Sequence, residues 1–273
     1  MTWNFTDDVD AFLATAGPSL AARPAENTLL LTITATLRSE GPLAYGPEPP
    51  VLGWWSEPDG EVTGALVHTP PFVPVLGTVP AEALGPLAET VALRGVNADR
   101  ATATALSARW PDHRVDAEHR LYRLGTLVPP CPAPAGGPRP AGSGDRELLV
   151  GWVRAFGEET GQSGTRAEQI VDTYTARGGL TVWEADGAVV SMAGVSRKIA
   201  DSVRVSVVYT PPEHRGRGYA AAVTAEVSGA ARAEGAAEVL LFTDLANPTS
   251  NGVYLRIGYE AVSDRLVITA VPE

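Results

Sequence analysis

The stretch from Val203 to Gly235 constrains the fold of this chain more than any other part of it. It begins with apolar residues at alternate positions, from Val203 through Val205 and Val207 to Tyr209, and this period of two predicts a β-strand with these side chains on one face. Two prolines follow and end the strand, because proline cannot donate a ladder hydrogen bond. After a segment that reads HRGRGYA, apolar residues recur at every fourth position, which predicts a helix.

A strand that leads through a glycine-rich loop into a helix presents free backbone N–H groups at the positive end of the helix dipole, and such a position favours phosphate. Gly216 and Gly218 allow the backbone to approach an anion closely, and Arg215 and Arg217 add positive charge around it. The loop has neither the Lys-Ser/Thr ending of a nucleotide-hydrolase phosphate loop nor the full dinucleotide-binding pattern. For this loop taken alone, an ordinary strand-turn-helix remains the alternative.

A second motif lies about thirty residues downstream. Asn247 and Pro248 predict the start of a helix, because asparagine favours the N-cap and proline the first helical position, and Gly258 predicts its end. Asn251 and Tyr254 follow Asn247 by four and seven residues. We therefore expect two amides and a phenol to project from about the same face of this helix.

Together the two motifs resemble those of the GNAT superfamily of acyl-coenzyme A-dependent N-acyltransferases. The segment from Arg215 to Ala220 matches the Arg-x-x-Gly-x-Ala pyrophosphate loop, and the segment from Asn247 to Tyr259 matches the Asn-x-x-x-Asn/Ala-x-x-Tyr-x-x-x-Gly-Phe/Tyr motif, in the family's order. The resemblance covers roughly residues 178–269. It implies an α+β (mixed α/β) fold in which helices flank a central mixed, mostly antiparallel sheet.

The resemblance also implies acetyl-coenzyme A (acetyl-CoA) as cosubstrate. Its pantetheine arm would pair with the strand edge where the central strand splays from its neighbour, its pyrophosphate would accept hydrogen bonds from the loop amides, and a backbone N–H near Val208 would polarise the thioester carbonyl. The asparagines of the second motif would contact the coenzyme A arm. The implied cofactor-binding residues are Val208, Tyr209, Thr210, Arg215, Gly216, Arg217, Gly218, Tyr219, Ala220, Ala221, Asn247 and Asn251.

Tyr254 is the catalytic candidate that the resemblance places at the sulfur. A free phenol has a pKa of about 10 and a thiol about 8.5, so complete proton transfer to the thiolate would be uphill by roughly 2 kcal/mol. We therefore expect Tyr254 to act first as a hydrogen-bond donor and second as a proton donor. A tyrosine that only packs its helix against the core is the alternative.

The attacking amine must lose a proton, and no residue is marked as the base. Two helices are predicted over residues 146–161 and 165–176, and the loop 157–164 between them corresponds to the variable acceptor loop of the family. Glu158 and Glu159 in this loop are the carboxylate candidates for the base. A water relay and a solvated surface pair are the alternatives.

Composition limits the class of partner. The net charge of −11 over 273 residues, with Lys198 as the single lysine, argues against a nucleic-acid or anionic membrane surface. A lone cysteine, Cys131, excludes an internal disulfide, and the Cys/His spacing of a zinc site is absent, so we expect no metal. With no run of eighteen apolar residues and no secretory pattern, we expect a cytoplasmic protein. We also expect it to be a monomer or a homodimer.

The proline- and glycine-rich segment 129–145 predicts a semi-rigid linker between an N-terminal domain, 1–128, and an acetyltransferase domain, 146–273. The first half repeats the element order of the second, which predicts a degenerate GNAT copy in tandem; an unrelated α+β domain is the alternative. Its turn 73–80 has no arginine, so we expect no coenzyme A there. The predicted elements of this half are a helix at 3–20, a strand at 27–37, a hairpin at 51–69, helices at 81–94 and 99–110, and a strand at 119–128.

The expected activity is transfer of an acetyl group from acetyl-CoA to a primary amine of a small molecule. Two alternatives stay open from the sequence. A non-catalytic acyl-CoA sensor would need the loop but not the phenol, and a protein N-terminal acetyltransferase would need an open groove.

Overall fold

The computed structural model describes residues 1–161 and 166–271 and divides into two compact units. The first unit comprises Met1–Leu121 together with the chain from Ser263 onward, and the second comprises Tyr122–Val262. These bounds differ from the predicted domain limits because the last strand of each half, at His113–Leu124 and Tyr259–Ala270, runs across the division.

The first unit is a mixed sheet with helices. Its elements in chain order are β1 (Thr2–Thr6), α1 (Val9–Ala22), α2 (Thr28–Glu40), β2 (Val51–Ser56), β3 (Val62–His68), β4 (Val75–Leu76), α3 (Ala81–Thr90), β5 (Gly95–Asp99), α4 (Arg100–Ser107), β6 (His113–Leu124) and, from the chain end, β12 (Tyr259–Ala270). The sheet order is β1-β2-β3-β4-β5-β12. The pairs β1–β2, β2–β3, β3–β4 and β5–β12 are antiparallel, and β4–β5 is parallel. Leu66, Leu76, Leu87 and Val96 are fully buried in its core.

The second unit has the order β6-β11-β10-β9-β8-β7. Its further elements are β7 (Gly137–Pro140), α5 (Arg146–Glu159), α6 (Ala167–Ala176), β8 (Leu180–Ala185), β9 (Ala188–Val195), β10 (Ser202–Tyr209), α7 (Tyr219–Ala233), β11 (Glu238–Asp244) and α8 (Pro248–Arg256). Strand β10 is parallel to β11 and antiparallel to β9. The chain order strand, two helices, three strands, helix, strand, helix, strand thus occurs twice, from β1 to β6 and from β7 to β12. The predicted mixed α/β fold class is confirmed.

The predicted strand at 27–37 is wrong, because this segment forms helix α2. Apolar residues do alternate with threonines from Leu31 to Leu37, but the buried positions Leu30, Leu31, Thr34 and Leu37 are spaced by one, three and three residues, as one helix face requires. The hydroxyl of Thr34 donates to the carbonyl of Leu30, which keeps a β-branched side chain inside the helix.

Part of the predicted linker is a strand. Residues 137–140 form β7 and pair with β8, and the indole N–H of Trp183 donates to the carbonyl of Ala135. Pro138 and Pro140 occupy alternate positions on this edge strand, so both missing N–H groups lie on the side that needs no ladder bond. A high proline content is therefore compatible with an ordered edge.

Other boundaries differ by a few residues. Trp3 lies in β1 and not in the first helix, which continues through Pro18 to Ala22. The predicted helix from Asp99 begins one residue later, because the Asp99 side chain caps α4 by accepting from two backbone amides. The hairpin of β2 and β3 forms as predicted.

Candidate active site

The central feature of the second unit is a gap between two parallel strands. Pairing of β10 with β11 covers only Ser202–Val205 against Glu238–Leu241. On the other side, the register of β10 against β9 shifts between Ser206 and Tyr209. Val207 has a φ of +44°, a strained value for a β-branched residue, and marks a β-bulge. The edge of residues 206–209 that faces away from β9 therefore has no strand partner in register.

The bulge changes which face each side chain occupies. Val203, Val205 and Val208 pack in the core beneath α7, whereas Val207 and Tyr209 pack with helices α5 and α6. The predicted single face of valines therefore ends at Val205. An extra residue in the bulge reverses the alternation of side chains, and this directs Tyr209 toward helices α5 and α6.

The loop between β10 and α7 has the geometry of an anion site. Gly216 and Gly218 have φ of +75° and +83°, and Gly218 is the residue that precedes the first turn of α7. A methyl group at Gly216 would meet no atom within 4 Å, so the backbone conformation and not packing requires glycine there. Within the described residues, the backbone amides of 216–221 donate no hydrogen bond. These amides belong to Gly216, Arg217, Gly218, Tyr219, Ala220 and Ala221.

The two loop arginines behave differently. The Nη2 atom of Arg215 donates to both carboxylate oxygens of Glu159 at 2.7 and 2.8 Å, and its Nε donates to the carbonyl of Thr210 at 2.9 Å. The Arg215 guanidinium is therefore held by a carboxylate and a carbonyl in this structure, and its contact with a phosphate stays a prediction. Arg217 is exposed and makes no ion pair with the described part of the chain.

Glu159 is the carboxylate that the fold brings to this site. It is the last residue of α5, and it also accepts a hydrogen bond of 3.2 Å from the hydroxyl of Tyr209. Burial, followed by the nearby Glu159 charge, raises the pKa of Tyr209, so this phenol stays neutral. Glu158 is exposed and has no side-chain partner among the described residues. Residues 162–164 of the predicted acceptor loop lie outside the described residues.

Helix α8 carries the second motif. The Asn247 side-chain oxygen caps the helix by accepting from the amide of Ser250 at 3.0 Å. The amide nitrogen of Asn251 donates to the carbonyls of Asp244 and Asn247, and its oxygen accepts from Tyr122. The Asn251 side chain thus joins the end of β11, the start of α8 and strand β6.

Tyr254 faces inward from the same helix. It is 8% exposed, and its ring centroid lies 6.4 Å from that of Tyr122 and 6.1 Å from that of Tyr259. Its hydroxyl makes no hydrogen bond with the described residues, whereas the Tyr259 hydroxyl lies 2.7 Å from Ser228 Oγ. Burial raises the pKa of Tyr254 to about 12. The site therefore holds a neutral phenol with a free donor.

A family model describes this part of the chain. Residues 147–259 match the model of the acetyltransferase (GNAT) family. This similarity covers 113 of the 273 residues. Acetyl transfer that depends on acyl-CoA is the general chemistry of that family, as the two motifs predicted.

Solved structures resemble the whole chain in fold. An acetyltransferase from the GNAT family of Colwellia psychrerythraea is 11% identical with a TM-score of 0.65, and the alignment covers 100% of both chains. A GCN5-related N-acetyltransferase from Sphaerobacter thermophilus is 18% identical with a TM-score of 0.61, covering 97% of this chain and 94% of the other. At these identities the similarity shows the fold alone. No curated protein matches the sequence.

Several polar contacts in the second unit had no signal in the sequence. Ser191 Oγ on β9 donates to the carbonyl of Tyr209 and lies 2.8 Å from Thr210 Oγ1, which holds the end of β10. Tyr174 of α6 and Ser206, at the edge of the bulge, have their hydroxyls 2.9 Å apart. These groups are 18 to 32 residues apart in sequence, so sheet register and helix packing bring them together.

None of the described helices is long and apolar enough to cross a bilayer.

Proposed function

We propose that the protein is an acetyl-CoA-dependent N-acetyltransferase that acts on a primary amine of a small molecule, with the chemistry in residues 122–262. The observation that supports this most is the combination of the unpaired edge at 206–209 with the free amides at 216–221. An extended arm with an anionic end would fit both, because the edge supplies alternating backbone donors and acceptors and the loop supplies N–H groups at a helix start.

Different residues of the second unit would bind different parts of coenzyme A. The edge at Val208, Tyr209 and Thr210 would hold the pantetheine arm, and the loop amides would hold the pyrophosphate. Arg217 is the exposed cation next to these amides. The exposed Asn247 keeps its side-chain N–H₂ available, since only its oxygen serves the cap. Asn251 would act indirectly, by fixing the position of α8.

Tyr254 would donate a hydrogen bond to the sulfur as the amide bond forms and the C–S bond breaks. With a pKa of about 12 against about 8.5 for a thiol, complete proton transfer would be uphill by roughly 5 kcal/mol. A hydrogen bond to a charged group contributes about 1.5–3 kcal/mol without proton transfer. The buried phenol therefore suits the donor role better than the acid role.

On the acceptor side we assign Glu159 as the carboxylate that meets the cationic amine before it loses its proton. It is held beside Tyr209, and the ring of Trp152 lies 6.0 Å from that of Tyr209. Glu158, one residue earlier, makes no contact with these groups and is the weaker candidate. A water relay would carry the proton onward.

We further propose that the first unit is a degenerate copy that binds no coenzyme A. Its parallel pair β4 and β5 corresponds in order to β10 and β11, but its turn from β4 to α3 has four residues, 77–80, where the second unit has nine, 210–218. Pro80 precedes the first turn of α3, and it offers no N–H.

Arg265 fills the equivalent gap between β4 and β5. Its Nη2 donates to the carbonyls of Leu76 and Asn97 at 2.8 and 2.9 Å, and its Nε donates to the Asn97 side chain. The side chain is 4% exposed, and burial lowers its pKa to about 10. These backbone acceptors are thus already used, which supports a first unit without a pantetheine site.

The proposal is tested by calorimetric titration of acetyl-CoA into the wild type and Tyr254→Phe, with a free-thiol assay over a panel of primary amines. We expect one site per chain in both proteins and thiol release in the wild type. Binding without turnover on any amine would favour an acyl-CoA sensor. The absence of binding would refute the assignment of the loop.

A further inference from the structure

One ion pair joins the two sides of the site. Arg215 begins the loop with the free amides, and Glu159 ends the helix that leads into the acceptor loop. The proposed function assigns these two segments to different substrates. The ion pair therefore means that Arg215, in the segment proposed to bind coenzyme A, is held by Glu159, in the segment proposed to bind the acceptor.

The contacts hold the guanidinium on the acceptor side. One nitrogen, Nη2, bridges both oxygens of Glu159, and Nε is bound to the carbonyl of Thr210. The Arg215 guanidinium carbon also lies 5.7 Å from the ring centroid of Tyr209. The free amides of 216–221 begin at the next residue of the chain. Because Glu159 and Thr210 hold the Arg215 guanidinium, its charge does not add to the anion site that these amides form.

We propose that Glu159 competes with the pyrophosphate of coenzyme A for Arg215. Binding of the cofactor draws the guanidinium to the phosphate oxygens and releases the Glu159 carboxylate for the ammonium group of the acceptor. This inference rests on the proposed function, because it requires coenzyme A in the loop. It adds a regulatory pair that couples the affinities of the two substrates.

The exchange is feasible because the pair is weak. Both side chains are 46% exposed, and water screens an ion pair of that exposure. A pyrophosphate offers more charge and more acceptor oxygens, next to amides that already favour an anion. After the exchange, Glu159 keeps the Tyr209 hydroxyl as its neighbour and regains an unpaired charge. Since coupling is reciprocal, a cationic acceptor strengthens cofactor binding by the same factor.

The test measures coenzyme A affinity in Glu159→Gln, with Glu158→Gln as the matched control. Both variants remove one formal charge at adjacent positions, and only Glu159 contacts Arg215. Pantetheine, which lacks the pyrophosphate, is the second probe. We expect Glu159→Gln to bind coenzyme A two- to fivefold more tightly, with pantetheine unchanged and Glu158→Gln equal to the wild type. In an Arg215→Gln background, Glu159→Gln should have no effect, as a double-mutant cycle requires.

Each other result refutes a specific statement. Unchanged or weaker coenzyme A binding in Glu159→Gln overturns the competition, while the proposed function survives because the wild type still binds. If Glu159→Gln and Glu158→Gln tighten coenzyme A binding equally, or if the effect of Glu159→Gln persists without Arg215, the cause is general electrostatics. Either result also overturns the competition. If neither the wild type nor any variant binds coenzyme A, both the proposed function and the competition are refuted.

Discussion

Replacing Tyr254 by phenylalanine should lower kcat without lowering stability or cofactor affinity. The Tyr254 hydroxyl makes no hydrogen bond with the described residues, so its loss leaves no partner unsatisfied. The ring, which packs against Tyr122 and Tyr259, is retained. We expect the free energy of unfolding to change by less than about 0.5 kcal/mol, as for substitutions that remove no contact.

The size of the catalytic loss follows from the donor role. A hydrogen bond to a charged acceptor contributes about 1.5–3 kcal/mol, which corresponds to a fall in kcat of roughly ten- to 150-fold. Because burial raises the pKa of Tyr254 to about 12, the phenol stays protonated from pH 6 to pH 10. The shape of the kcat–pH profile should therefore be the same in both proteins over that range.

Tyr259→Phe is the matched control. Tyr259 is 1% exposed and its hydroxyl bonds to the buried Ser228, so its loss should lower the free energy of unfolding by about 1 kcal/mol and leave kcat within twofold. Chemical unfolding and thiol release measure the two effects. The reasoning is refuted if Tyr254→Phe keeps wild-type kcat, or if Tyr259→Phe loses as much activity as Tyr254→Phe does.

Three further predictions concern the loop, helix α8 and the first unit. Gly218→Ala, at φ +83°, should cost about 1–2 kcal/mol of stability and weaken coenzyme A binding more than tenfold by calorimetry; wild-type affinity would contradict the loop assignment. Asn251→Ala, which loses three hydrogen bonds, should lower the free energy of unfolding by about 2–3 kcal/mol, against about 1 kcal/mol for the cap variant Asn247→Ala; equal losses would count against the bridging role. Arg265→Ala should lower the free energy of unfolding in urea by about 2 kcal/mol and leave one acetyl-CoA site per chain, whereas exposed Arg217→Ala should leave that free energy unchanged. A second acetyl-CoA site in Arg265→Ala would show that the first unit can bind the cofactor.

Local motifs were predictable because their contacts are local. The strand-loop-helix around Gly216 and Gly218 depends on backbone conformation, and the start of α8 depends on the N-cap at Asn247. Both can be read within a dozen residues of sequence. The positions of the two glycines at positive φ agree with that expectation.

The details that shape the site were not predictable from these patterns. The bulge lies at Val207, a β-branched residue that is not expected at a φ of +44°. The sequence pattern therefore predicts that side chains continue to alternate at the position where the bulge interrupts them. The Arg215 and Glu159 pair spans 56 residues, and the Tyr122 and Asn251 bond spans 129. Such partners are set by sheet register and helix packing, which short-range patterns do not encode.

Helix α2 shows the opposite error, in which a pattern was present but ambiguous. Apolar residues that alternate with threonines fit a strand, yet the threonine hydroxyls bond back to carbonyls four residues earlier, as Thr32 does to Thr28. Tertiary packing of one leucine face then decides in favour of the helix. β-Branched content alone is weak evidence when both periods fit.

The most direct test of the account is hydrogen exchange by mass spectrometry with and without acetyl-CoA. The amides of 216–221 lack partners within the described chain and should exchange fast in the free protein. We expect acetyl-CoA to slow exchange in peptides that cover residues 206–221 and to leave those that cover residues 73–99 unchanged. Protection of 73–99, or no protection at 206–221, would contradict the placement of the cofactor in the second unit.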